Sequence, residues 1–222
     1  MEIIRYAELK PQPWRNGGGV TREVAGGHSA AAETGATPAG PGQDAAWDWG
    51  VSIAEVTKAG AFSSFPGMDR MLTVIEGELL LLSVDGSEHP LEKYRPYRFS
   101  GDAACSGALP TGDIRALNVI TRAGGYKGYA SIVELSKKRP HPLFEGQLGI
   151  LLQGEATATP GADAEVSADD DGTVTPAPPS EPAPLSRYDA VIGSGSRAPE
   201  ILGRGFLAVV SIDAVPTGPG EG

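Results

Sequence analysis

The side chains best able to do chemistry fall in three clusters. "PWRNGGGVTREV" (13–24) sets Trp14, Arg15 and Asn16 before three glycines and Thr21. "GAFSSFPGMDRMLTVIEGE" (60–78) places Ser63, Ser64 and Phe65 ahead of Asp69 and Arg70. "FSGDAACSGALPTGDIRALNVITRAG" (99–124) carries Asn118 between Leu117 and Val119 in an otherwise apolar run. Arg70 stands where a strand should begin, and its guanidinium can grip a carboxylate with two parallel hydrogen bonds. Asp69–Arg70 pairing, or a solvated arginine, is the plainer account of the same residues. An asparagine inside a buried strand needs partners, from backbone or from ligand. Asp102 and Asp113 sit among turn formers and read as such.

Gly17-Gly18-Gly19 suggests a phosphate cradle, but the pattern fails. A Walker loop requires a lysine after its last glycine, and none follows here. A dinucleotide fingerprint requires its own glycine spacing within a βαβ unit, which the chain lacks. Two readings stay open. The glycines can form a loop of left-handed or closely approached backbone that offers N–H groups to a small anion. They can equally form a bulge at a barrel rim that packs Trp14.

Metal and covalent chemistry have weak footing. The three histidines, His28, His89 and His141, form no H-x-H or H-x-x-x-H pair, so no metal site and no cofactor are expected. Ser63 and Ser64 have no histidine close in sequence, and "GVSIA" does not match a G-x-S-x-G elbow. The single cysteine, Cys105, has no evident activating cation and excludes an internal disulfide. No catalytic residue can be named.

The elements that must position these residues are strands. "WGVSIAEV" (49–56) alternates Val51, Ile53 and Val56 against polar positions with one slip, and "MLTVIEGELLLLSV" (71–84) reads as a tight hairpin about Glu76-Gly77-Glu78. Further strands are expected at 114–122, 129–136, 148–154, 188–194 and 206–212. No dozen residues hold a 3.6-residue apolar period free of Gly or Pro. The chain is therefore all-β, a barrel or sandwich, with little helix. Residues 26–45 and 154–184 are rich in Ala, Gly, Pro and Thr, the second also in acids, and are expected to be disordered insertions.

The net charge of −10 is concentrated. Between Arg139 and Arg187 there is no Lys or Arg, and eight acids there supply −8, which leaves −2 for the rest. No basic stripe exists to displace counterions, so nucleic acid is not an expected partner. No run approaches eighteen apolar residues and "MEIIRYAELK" has no apolar signal core, so a cytoplasmic protein with no membrane partner is expected.

Taken in order, "PWRNGGGVTREV", "WDWGVSIAEV", "GAFSSFPGMDRMLTVIEGELLLL", "FSGD" and "LNVITR" resemble the HutD/Ves family over about residues 1–25 and 46–135. "GQLGILLQGEA" carries a weaker likeness. The resemblance implies a double-stranded β-helix (RmlC-like jelly roll) bicupin, with two β-barrels in one compact unit. The halves would be 1–125, with the 26–45 insertion, and 126–222, with the 154–184 insertion. It further implies a link to histidine utilisation and a ligand-binding pocket. Residue by residue, Trp14, Asn16, Gly17, Gly18, Gly19 and Thr21 would form one wall, and Ser63, Phe65, Arg70 and Asn118 the rest.

Metal-binding cupins carry H-x-H and then Glu ahead of a hairpin glycine. Counted back from Gly77, the Glu slot falls on Arg70 and the histidine slots near Ser63 and Phe65. A cation in a metal ligand's place favours a bound anion. The leading expectation is a metal-free, non-enzymatic binder, monomer or homodimer, of a small anionic metabolite that modulates histidine catabolism. Formylglutamate, formiminoglutamate and urocanate are the candidates. A cupin-fold isomerase or hydrolase acting on such a metabolite, and an interaction module with a vestigial pocket, are the alternatives. The absence of an acid–base pair favours binding. The polar set Asn16, Thr21, Ser63, Arg70 and Asn118 disfavours a vestigial pocket.

Overall fold

The structure is a computed structural model that describes residues 1–27, 47–161 and 181–216. Its strands are β1 (Glu2–Ile4), β2 (Gln12–Pro13), β3 (Gly19–Gly27), β4 (Trp49–Val56), β5 (Gly60–Ala61), β6 (Met68–Glu76), β7 (Leu79–Val84), β8 (Ser87–Glu92) and β9 (Tyr97–Ser100). They continue as β10 (Cys105–Ala108), β11 (Ile114–Arg122), β12 (Tyr126–Leu135), β13 (His141–Pro142), β14 (Gln147–Thr159), β15 (Ala183–Leu185), β16 (Ala190–Ile192) and β17 (Glu200–Ala214). Among the described residues the helical content is one 3-10 turn, Tyr6–Glu8. The all-β expectation holds, and no described helix is long and apolar enough to cross a membrane.

The chain divides into two compact units, Met1–Ala7 with Ile132–Val209, and Glu8–Ser131 with Val210–Gly222. The first is built on a sheet ordered β1-β16-β14-β17-β12, around Leu143, Leu151, Ile201 and Leu207. Its N-terminal strand is an added edge: β1 pairs antiparallel with β16, and buried Asp189 accepts hydrogen bonds from Arg5 Nη1 at 2.6 Å and the Tyr6 N–H at 3.0 Å.

The second unit carries the three clusters. A six-stranded sheet, β2-β3-β4-β11-β6-β9, and a four-stranded sheet, β5-β10-β7-β8, share one apolar core. Leu72, Val74 and Ala116 come from the first sheet, and Leu80, Leu82 and Leu91 from the second. Period-2 alternation sends these to one face of each strand.

Three local expectations are corrected. Glu76-Gly77-Glu78 is no hairpin: β6 pairs with β11 and β9, whereas β7 pairs with β10 and β8. The chain changes sheets there. Gly77 (φ 84) is required because a Cβ would meet the Asp113 carbonyl oxygen and the Ile114 side chain, each at 2.8 Å. The tight hairpin is the next turn, β7 to β8 about Asp85 (φ 48) and Gly86 (φ 83). Positive φ at both turn residues matches strand twist, which is why Asp-Gly is favoured there.

Second, β4 does not alternate between core and solvent. Val51, Ser52, Ile53 and Ala54 are all buried, as befits a central strand covered on both faces.

Third, the two low-hydropathy tracts are partly strand. Gly26 and Gly27 end β3, Gly154–Thr159 complete β14, and Ala183–Leu185 form β15. Ala156 and Ala158 are buried, so "EATAT" is an alternating strand whose core side is merely small. Residues 28–45 and 162–180 of the expected insertions lie outside the described residues.

Candidate functional site

One face of β4, β6 and β11 is apolar along most of its length and turns polar at one end. Ser52 on β4 is directly opposite Asn118 on β11, which is opposite Leu72 on β6. Arg70, two residues before Leu72, is opposite Ile120 and, on its other side, Phe99 of β9. Arg70, Asn118 and Ser52 therefore form a polar group at the floor of a cavity of about 490 Å³. All three are buried, at 5%, 8% and 7% exposure. Gln12, Pro13, Arg15 and Asn16 also line the cavity and are exposed, so they mark its open end.

Arg70 is held tightly yet weakly compensated. Its guanidinium carbon lies 4.7 Å from the Phe65 ring centroid and 5.0 Å from that of Phe99, two contacts favourable to a cation. Nη1 donates to the Ser63 carbonyl at 3.0 Å, and Nη2 to Asn118 Oδ1 at 3.4 Å. Nε is buried and has no hydrogen-bond partner among the described residues. No ion pair of the described residues includes Arg70. Burial lowers its pKa from the usual arginine range to about 10, against an opposing pull from nearby Cys105, so it stays cationic at neutral pH. The same burial raises the Cys105 thiol pKa.

The loop that supplies Phe65 and Ser63 is fastened by "FSGD". The Phe65 N–H donates to the Gly101 carbonyl at 2.8 Å, the Gly101 N–H to that of Met68 at 2.7 Å, and the Gly67 N–H to Asp102 Oδ1 at 3.0 Å. Gly101 must be glycine, because a Cβ would overlap the Phe65 carbonyl oxygen. Asp102 is thus a turn former, and the turn it forms aims Phe65 at Arg70.

The triple-glycine element resolves into backbone shape. Gly17 takes a left-handed conformation (φ 64), and a Cβ on Gly19 would strike the Glu55 carbonyl oxygen. The Gly17 N–H returns to the Trp14 carbonyl at 3.0 Å, and the Gly18 N–H to Asn16 Oδ1 at 3.0 Å. This tight turn brings Trp14, Arg15, Asn16 and Thr21 to the cavity, while the three glycines themselves are not among its lining residues. Trp14 Nε1 donates to Thr21 Oγ1 at 2.8 Å, and Asn16 Nδ2 reaches the Ala61 carbonyl at 3.2 Å.

The lining thus unites Trp14, Asn16, Thr21, Ser63, Phe65, Arg70 and Asn118 from three distant stretches. Ser52 and Phe99 carry no signal of this role in their own stretches of the sequence, and Arg15 stands there only as part of the N-terminal cluster. Ser52 could have been found by pairing its strand with the one that holds Asn118. Phe99 shows only once β9 is seen beside β6. The donor set is one-sided. Arginine, hydroxyl and amide groups line the cavity, and no Asp or Glu is among the described lining residues. Nor do any three His, Cys, Asp or Glu side chains of the described residues converge as a metal site would need. The arrangement can hold an anion with an apolar portion.

A family model described as HutD matches residues 6–206. An uncharacterized 21.2 kDa protein in the hutC 3' region of Pseudomonas putida is 33% identical over 128 residues, 57% of this chain and 61% of that protein. Protein Ves of Citrobacter koseri is 30% identical over 136 residues, 59% and 64% of the two chains. The chain spans about three fifths of the length of these curated relatives. Among solved structures, HutD from Pseudomonas fluorescens SBW25 (formate condition) superposes with TM-score 0.69 at 24% identity, over 97% of this chain and 99% of that one. A cupin 2 conserved barrel domain protein from Leptotrichia buccalis gives 0.51 at 9% identity, over 96% and 100%. These likenesses give the chain a cupin-like all-β fold, and the match across residues 6–206 places it in the HutD family.

Proposed function

We propose that this chain binds a small carboxylate metabolite in the Arg70 cavity, without turning it over, and thereby modulates histidine catabolism. One observation carries the reading. Arg70 is a buried cation with one good hydrogen bond, one long one, an orphaned Nε and no carboxylate partner among the described residues. A buried charge left in that state is costly, and an anion seated against it relieves the cost. Formylglutamate, formiminoglutamate and urocanate each bring a carboxylate. The histidine connection is supported by the family and by the hutC-region name of the Pseudomonas putida relative. In this reading residues 1–125 and 126–222 are the two barrel halves of a bicupin, with Met1–Ala7 and Val210–Gly222 traded between the units. The protein acts in the cytoplasm, as a monomer or homodimer.

Calorimetric titration of the wild type with those three compounds tests the proposal. At least one should bind, and Arg70→Ala should weaken it by about 2–5 kcal/mol, the cost of breaking a buried charged pair. Unchanged affinity in that variant makes Arg70 structural. No binding of any of the three by the wild type removes the histidine-pathway ligand.

A further inference from the structure

A cross-strand row runs over the cavity face of the six-stranded sheet. Gly50 on β4 is opposite Ile120 on β11, and Ile120 is opposite Arg70 on β6. Gly50 shares its face with Ser52, two residues on, so it lies on the same side as the cavity floor. It offers no side chain there, and the Trp47 indole takes the place. A Cβ on Gly50 would stand 3.2 Å from Trp47 Cζ3.

The same indole meets Phe65. Their ring centroids are 6.5 Å apart at an interplanar angle of 72°, a T-shaped pair. Phe65 in turn lies 4.7 Å from the Arg70 guanidinium carbon. Such support matters to Phe65, because Ser63, Ser64, Pro66 and Gly67 around it are all exposed. Trp47 is not among the lining residues of the cavity, so it does not touch a molecule held there.

Trp47 is itself fixed through the backbone. Its neighbour Asp48 is buried, and the Asp48 N–H donates to the Gly27 carbonyl at 2.9 Å. Arg122 donates from Nε to Asp48 Oδ1 at 2.6 Å and from Nη2 to the Trp47 carbonyl at 3.2 Å. The Arg122 N–H adds a bond to the Asp48 carbonyl at 2.6 Å. The indole is therefore carried by a segment that Arg122 ties to the end of β11.

We infer that Trp47 is a positioning residue: its indole, seated over Gly50, holds the Phe65 ring against Arg70 and so keeps the guanidinium aimed and shielded from water. This rests on the carboxylate-binding reading of Arg70 given above and assigns the support that reading leaves unnamed. Without the indole, a ligand has to order Phe65 as it binds, and water reaches the guanidinium. The first effect lowers affinity by up to the strength of one aromatic pair, about two- to tenfold. The second reduces the desolvation that depresses Arg70, so its pKa rises.

The test titrates the full chain with formylglutamate, formiminoglutamate and urocanate and follows the tightest binder. Trp47→Leu should bind about two- to tenfold more weakly, and the pH at which affinity falls should move above about 10. Trp47→Phe, which keeps a ring, should stay within about twofold of wild type. In a Phe65→Leu background Trp47→Leu should add nothing further, since the indole acts through that ring. Where Trp47→Leu fails to fold, Gly50→Ala crowds the indole and takes its place in the same cycle. Wild-type affinity and pH profile in Trp47→Leu, no rescue by Trp47→Phe, or a loss additive with Phe65→Leu overturns the inference while the Arg70 site stands. Binding of none of the compounds by the wild type overturns the Arg70 reading and this inference with it.

Discussion

Arg70 and Asn118 sit one diagonal apart on neighbouring antiparallel strands, and the Nη2–Oδ1 contact that joins them is 3.4 Å long. A neutral amide at that distance gives a guanidinium much less than a carboxylate would. The cation is kept buried, ringed by Phe65 and Phe99, and incompletely answered from within. That combination leaves room for an external anion to supply the missing interaction.

Asn118→Asp should therefore have opposite effects on stability and binding. It places a carboxylate where the amide oxygen contacts Arg70, forming an internal ion pair in a buried setting. Arg70's pKa should rise, the unfolding midpoint should hold or increase, and carboxylate affinity should fall at least about tenfold because the charge is already answered. Thermal unfolding and calorimetry on one preparation read both. Undiminished affinity would show that the ligand's charge is held somewhere other than Arg70.

Ligand binding should fail at high pH. Arg70's folded pKa is about 10, well below the usual arginine range, with burial the main cause. Between the folded value and the higher unfolded one the unfolded chain holds a proton that the folded one has released, so this group's contribution to stability rises with pH across that window. Below about 10 both states are protonated, and burial of the charge costs the fold a constant amount. A bound carboxylate favours the charged form, so formylglutamate affinity should be level from neutral pH and drop as pH rises through about 10. A titration series from about pH 7 to about pH 11 checks it, since the ligand's own carboxylates do not titrate there. Flat affinity to the top of the range would separate binding from Arg70.

The all-β class was legible because glycine and proline punctuate short apolar runs throughout. Arg70 and Asn118 were legible because each is a polar residue in an apolar strand, which demands a reason. Ser52 was not, since "WGVSIAEV" reads as a strand with one wet face, and only the covering of both faces shows that Ser52 points into protein. The turn at Glu76-Gly77-Glu78 was misread for a related cause. A glycine with positive φ serves a hairpin and a sheet-to-sheet corner alike, and the choice depends on partners β9, β10 and β11, which lie further along the chain. "EATAT" is hard to read as a strand because alanine contributes little hydropathy, although Ala156 and Ala158 are buried and a Cβ on Gly203 would meet Ala156.

Two glycines of the N-terminal element should respond differently to substitution. At Gly19 an added Cβ meets the Glu55 carbonyl, a backbone atom that cannot swing aside, and the Trp14 ring at 3.2 Å. Gly19→Ala should cost about 1–3 kcal/mol of stability by overpacking. At Gly17 the space is open and the difficulty is only the left-handed backbone. Gly17→Ala should cost about 1 kcal/mol, and Gly17→Asn less, because asparagine tolerates that conformation. Urea unfolding of the three variants ranks them, and a Gly19→Ala protein as stable as wild type would mean the strand edge can shift.

The loop that carries Phe65 offers the last test, because its fastening is separate from the cavity chemistry. Asp102 is exposed and its carboxylate does not line the cavity; it accepts from the Gly67 N–H at 3.0 Å and from Ser100 Oγ at 3.3 Å. Asp102→Ala removes those acceptors and leaves Arg70, Asn118 and Ser52 untouched. Exposed hydrogen bonds of this kind contribute about 0.5–1.5 kcal/mol each, so stability should fall only slightly. The Ser63 carbonyl and the Phe65 ring hold the guanidinium from this loop, and loosening it should let the side chain sample orientations that miss the ligand. Carboxylate affinity should then drop several-fold while the unfolding midpoint moves little. Gly101→Ala, which forces a Cβ against the Phe65 carbonyl oxygen, should lower both. If Asp102→Ala binds as tightly as wild type, the loop is held by its backbone hydrogen bonds alone, and Asp102 has no part in positioning Arg70.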